Sequence, residues 1–166
     1  MKILVPVDAS KAALAPIAHL AALRRAGVEV EALLLNVQPR FSRHVAQFTS
    51  RAERQDLRAE RSREAMAGAI AALSAAGVPF RALAEVGRPA ERIAAVAENE
   101  RVDEILMGAG RHPAWLRWLN PSIAQGVMER SDIGVTVFAR GQPGMLERYA
   151  IPAGMAGLAA LLLTTE

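Results

Sequence analysis

The chain has 166 residues, 52% of them hydrophobic and 22% charged, a balance that suits one globular domain and excludes a disordered or fibrous protein. It has no cysteine, which excludes disulfides and cysteine-ligated metals, and its three histidines, His19, His44 and His112, lack metal-ligand spacing. A formal net charge of +3, with 4% aromatic residues and no aromatics interleaved with a basic stripe, argues against nucleic acid as a partner.

Lys2-Ile3-Leu4-Val5-Pro6-Val7 is a short apolar run of the kind a buried strand requires. This opening has no basic n-region, apolar h-region or small-residue cleavage site, so a cytoplasmic location is expected. Asp8-Ala9-Ser10 ends the strand, and Ser10 is placed to cap the next helix. Ile17, Leu20 and Leu23 give that helix its apolar stripe, and Gly27 closes it. A second strand lies within 28–37, centred on Leu33-Leu34-Leu35 and ended by Pro39. A long helix is expected from about 42 to 76. Its charged half, 51–64, mixes both signs and reads as a solvated face with i,i+3 and i,i+4 pairs, a docking surface being the alternative. Met66, Ile70 and Leu73 give its second half core spacing, and Gly77 and Pro79 stop it.

A third strand is expected at 80–86, and Gly87-Arg88-Pro89 then turns into a helix with Pro in its first turn and Ile93, Val96 and Ala97 facing inward. A fourth strand at 103–107, a loop or partial helix at 108–120, a helix at about 122–130 and a fifth strand at 133–138 follow. Strands alternating with helices imply βαβ units: an α/β fold with a five-stranded parallel sheet in a Rossmann-like three-layer sandwich. Gly141-Gln142-Pro143-Gly144 divides a domain at 1–140 from a tail at 141–166.

The most informative stretch is Met107-Gly108-Ala109-Gly110-Arg111-His112-Pro113 with Asn120-Pro121-Ser122, where a strand enters a glycine turn ahead of a helix. In parallel sheets the carboxyl ends of strands, facing helix N-termini, bind nucleotides and other anions. Asp8 lies at the same sheet edge; its carboxylate can accept hydrogen bonds from adenine or ribose, or help Ser10 cap a helix. Val37 follows the second strand, where backbone groups can reach a base edge. Ser122 with Gln125 also reads as a capping box, which gives Ser122 a structural explanation. No nucleophile–base pair has persuasive spacing and no lysine follows a glycine run, so the chain is expected not to be an enzyme, slow ATP hydrolysis being the alternative.

These pieces together resemble the universal stress protein family. The resemblance runs over about 1–140. It is carried by the segment from Lys2 to Ser10, Leu34-Leu35-Asn36-Val37, and Gly87-Arg88-Pro89-Ala90-Glu91-Arg92-Ile93. Asp103-Glu104-Ile105-Leu106-Met107-Gly108, Pro121-Ser122-Ile123-Ala124 and Val135-Thr136-Val137-Phe138 complete it. It implies the adenine nucleotide α-hydrolase-like sandwich, a stress-response role, often ATP as ligand, and a homodimer paired through the last strand, Val135, Thr136, Val137 and Phe138. By the same resemblance ATP would be held by Pro6, Val7, Asp8, Val37, Met107, Gly108, Gly110, Arg111, Ser122 and Ile123. The family's loop reads glycine, two residues, glycine, nine residues, glycine, then Ser or Thr. Here Gly108 and Ser122 keep the first and last positions, while Arg111 and Pro121 replace the second and third glycines and Gly110 lies one residue early. Glycine lets backbone approach phosphate closely; Pro121 offers no N–H, and Arg111 offers a guanidinium instead. The expectation is a dimeric stress-response module with an altered, possibly non-functional, ATP site, a functional ATP-binding protein being the alternative.

Trp115 and Trp118 share a face if their segment is helical, either packing over the sheet edge or meeting a partner. From Tyr149 to Leu163 the tail is apolar or small, yet shorter than the roughly 20 residues needed to span a bilayer. It is expected to pack on its own domain or cross to a partner subunit, with contact to a membrane surface or membrane protein as the alternative.

Overall fold

A computed structural model describes residues 1–8, 13–40, 50–109 and 123–139, with the backbone alone at 109, 139 and 147–149. The elements are β1 (Lys2–Pro6), α1 (Leu14–Arg25), β2 (Glu31–Gln38), α2 (Arg51–Ala75), β3 (Phe80–Val86), α3 (Pro89–Asn99), β4 (Glu104–Ala109), α4 (Ile123–Met128), β5 (Val135–Ala139) and β6 (Glu147–Tyr149). The sheet order is β3-β2-β1-β4-β5-β6. The first five strands are parallel, as expected, and β6 runs antiparallel along β5.

The alternation of side chains along each strand decides which helix layer it meets. Ile3, Val5, Ala32, Leu34 and Leu106 enter one core with Ile17 and Leu20 of α1 and Met66, Ala69 and Leu73 of α2. Leu4, Leu33, Leu35, Ile105 and Met107 enter the opposite core with Ile93, Val96 and Ala97 of α3 and Val127 of α4. Both faces of the central strands are therefore covered, and their sequences are nearly continuous apolar runs. On the second face α4 sits tightly on α3: a Cβ added at Gly126 would lie 2.9 Å from the Ala90 Cβ. At the amino ends of the strands Lys2 Nζ donates to Glu100 Oε2 at 2.7 Å, and Arg81 Nη1 donates to the same oxygen at 3.2 Å. These two cations, Lys2 first, hold the Glu100 carboxyl below its ordinary value.

Several helix boundaries differ from expectation. The helix expected from 42 does not run through Ser50, whose backbone is extended at φ −68° and ψ 163°. Ser50 Oγ accepts from Glu53 N at 3.1 Å and Glu53 Oε2 accepts from Ser50 N at 2.7 Å, a reciprocal cap that starts α2 at Arg51. The bond to Ser50 N is the first cause of the lowered pKa of Glu53. Ser50→Ala is expected to cost about 1 kcal/mol, read as a lower urea midpoint with an unchanged slope. Within the mixed charges of 51–64, Arg51, Arg54 and Arg58 recur at i, i+3 and i+7. In α1 the N-cap is Ala13, which makes no side-chain cap bond. Ser10 itself, and residues 41–49, lie outside the described residues.

Candidate functional site

The chain passes from β1 to β2 on one side of the sheet, and after β3 it crosses to β4 on the other side of β1. The loops leaving β1 and β4 therefore diverge, and the crevice between their carboxyl ends is where open α/β sheets bind ligands. A cavity of about 450 Å³ lies there. That volume is in the range of small-molecule and cofactor sites.

Seven of the ten site residues expected from the sequence line this cavity: Pro6, Val7, Asp8, Val37, Met107, Gly108 and Ile123. Gly110, Arg111 and Ser122 lie outside the described residues, as do Pro121, Trp115, Trp118, His44, His112 and the tail from 150 onward. Leu35, Ile93 and Val137 also line the cavity and were not among the site residues expected from the sequence. A signal existed for Leu35, which is two residues before Val37 on the same pleat of β2.

The cavity wall is mostly aliphatic, and Asp8 is the single charged residue among the described residues that line it. Ile123 presents a side chain that is 43% exposed on the same wall, an apolar surface without full cover in the chain itself. An aliphatic slot with one carboxylate at its mouth suits a flat, weakly polar ring joined to hydroxyl or amino donors. Among the described residues no group of His, Asp or Glu could hold a metal ion.

The backbone ahead of Asp8 is fixed from β2. Val7 N donates to Leu35 O at 2.9 Å, extending the ladder one residue past the end of β1. Asn36, 3% exposed, donates through Nδ2 to Val7 O at 2.8 Å. Its Oδ1 accepts from Gln38 Nε2 at 2.6 Å. A buried amide thus holds the peptide immediately before Asp8. Asn36→Ala removes the donor to Val7 O and the acceptor for Gln38. It is expected to cost about 1–3 kcal/mol in a denaturation experiment.

Along β5, Val135, Thr136 and Val137 stand opposite Tyr149, Arg148 and Glu147 of β6. The strand edge expected to pair two copies thus has a neighbour from the same chain. Among the described residues no helix is long and apolar enough to cross a membrane.

A model of the universal stress protein family matches residues 1–139. Hypothetical protein MJ0577 superposes with a TM-score of 0.68 at 28% identity, covering 86% of this chain and 97% of that one. The universal stress protein UspA from Lactobacillus plantarum gives 0.64 at 21% identity over 82% and 96%. A universal stress protein family protein from Arabidopsis thaliana with AMP bound gives 0.62 at 16% identity over 85% and 92%. No curated protein matches the chain.

Proposed function

The chain belongs to the universal stress protein family, and from that premise we propose that it is a non-enzymatic stress-response module that binds an adenine nucleotide chiefly by its base and ribose. The observation that carries this reading is the cavity at the β1–β4 crevice, lined by Asp8, Val37, Met107, Gly108 and Ile123. The Arabidopsis protein whose fold this chain shares was solved with AMP, a nucleotide with a single phosphate. In this chain the phosphate end departs from the family pattern, with Arg111 and Pro121 standing where glycines are the rule. Pro121 cannot donate to an anion and Arg111 keeps the loop backbone further from it, so the second and third phosphates of ATP gain little. Arg111 supplies charge in exchange for backbone N–H groups.

The proposed binding unit is 1–140, in which Pro6, Val7, Asp8, Val37, Met107, Gly108 and Ile123 hold the base and ribose and Gly110, Arg111 and Ser122 meet the phosphate. The cytoplasm is its proposed compartment. A homodimer paired through β5 would displace or exchange the three-residue β6. Light scattering of the full chain against a version ending at 140 reads that directly, with stronger association expected once β6 is gone.

Calorimetric titration with AMP, and separately with ATP and magnesium, tests the nucleotide reading. Dissociation constants within about fivefold of one another are expected, because base and ribose are common to both ligands. An ATP affinity about a hundredfold above that of AMP would place the binding energy in the phosphates, and no binding of either would empty the proposal.

A further inference from the structure

A second cavity, of about 520 Å³, opens at the carboxyl ends of β2 and β3 against the first turns of α2. Arg51, Arg54 and Arg58 line it from the helix, with Gln38 from β2 and Glu85 from β3. None of these residues belongs to the cleft between β1 and β4. The three arginines stand at i, i+3 and i+7, so they share one helix face. Like charges at that spacing repel one another along a helix and concentrate positive charge on one face. The acids of the same turns, Glu53, Asp56 and Glu60, repeat at i, i+3 and i+7 in a second row, and Glu53 is engaged in the cap at Ser50. The two signs are thus sorted onto separate faces.

Inside the cavity the acidic member is Glu85, whose Oε2 accepts from Arg92 Nη2 at 2.9 Å. Arg54 and Arg58 are half-buried, and the Nε of Arg58 is enclosed in the fold. Packing therefore restricts these guanidinium groups at the cavity wall, which lowers the entropy lost when they close on a ligand.

We propose that this cavity is a second ligand site, separate from the nucleotide cleft, that takes a small phosphorylated molecule through its phosphoryl oxygens. Guanidinium groups bind such oxygens bidentately, and the side-chain amide of Gln55, which also lines the cavity, adds donors. The volume suits a small molecule held in a recess. The ligand expected here carries several phosphoryl charges, so inorganic triphosphate is the probe for this site and AMP, with a single phosphate, reports on the nucleotide cleft.

The full-length, 15N-labelled chain is titrated at fixed ionic strength with sodium triphosphate, and in a second arm with AMP. Triphosphate is expected to shift the amides of Gln38, Arg54, Gln55, Arg58 and Val86 saturably and to leave Met107 and Gly108 in place. AMP is expected to do the reverse. R54Q/R58Q is expected to weaken triphosphate binding about tenfold or more, while Arg61→Gln, which removes one charge outside the cavity, leaves it unchanged. Triphosphate shifts confined to Met107 and Gly108, absence of saturable binding, or equal weakening by Arg61→Gln would overturn the site. Tighter binding of polyglutamate than of triphosphate would overturn the choice of phosphate. Should R54Q/R58Q fail to fold, the shift map of the unaltered chain decides. Failure of AMP alone to bind would count against the nucleotide cleft and leave this second site standing.

Discussion

Leu34→Ala is expected to destabilise the chain by about 2–5 kcal/mol, a large share of the roughly 5–15 kcal/mol that holds a typical domain. Leu34 lies on β2, paired with Val5 of β1 and Ala82 of β3, and is 0% exposed. Its side chain belongs to the core shared with Ile17, Leu20, Met66 and Leu73. Strands on both sides restrain its backbone, so the site cannot collapse around a smaller residue and most of the cavity persists. Leu34→Ile keeps the volume and is expected to cost less than about 1.5 kcal/mol. Urea denaturation reads both, as a fall in midpoint at constant slope. A loss below about 1 kcal/mol for Leu34→Ala would show that this core is not the close-packed layer described.

Asp8→Ala is expected to weaken adenine-nucleotide binding about ten- to a hundredfold, the equivalent of the 1.5–3 kcal/mol assigned to hydrogen bonds with a charged group. Asp8 is the charged residue of the cleft wall and is exposed at its mouth. Its removal takes away an acceptor for base or ribose donors without opening the core. Asp8→Asn keeps one oxygen acceptor and is expected to fall between the two. Calorimetric titration with AMP gives the affinities. Equal AMP affinity in Asp8→Ala and the unaltered chain would remove Asp8 from the site.

The layer structure was legible because it rests on periodicity. Leu33-Leu34-Leu35 can only belong to a strand covered on both faces, and Ile93, Val96 and Ala97 can only face one core from a helix. The cleft residues were legible through the family resemblance, which named Pro6, Val7, Asp8, Val37, Met107 and Gly108; the strand order then brings the carboxyl ends that carry them together. The start of α2 was misplaced because residues 42–49 contain no Pro or Gly to break a helix, while the Ser50–Glu53 reciprocal cap sits inside what reads as one helix. The sorting of arginines from acids on α2 was present in the spacing. Its meaning needed Gln38 and Glu85, which are distant in sequence and meet Arg54 and Arg58 at one cavity only in the folded chain. The short β6 was not legible, because three residues of mixed character carry no strand period. Its pairing comes from the free edge of β5.

The central claim is that the crevice between β1 and β4 holds the base and ribose of an adenine nucleotide. A crystal structure of the full chain grown with AMP tests it most directly. The account predicts adenine seated against Val37 in the cleft, with the Asp8 carboxylate within hydrogen-bond distance of a base or ribose donor. AMP bound elsewhere, or an empty cleft at saturating AMP, would contradict it.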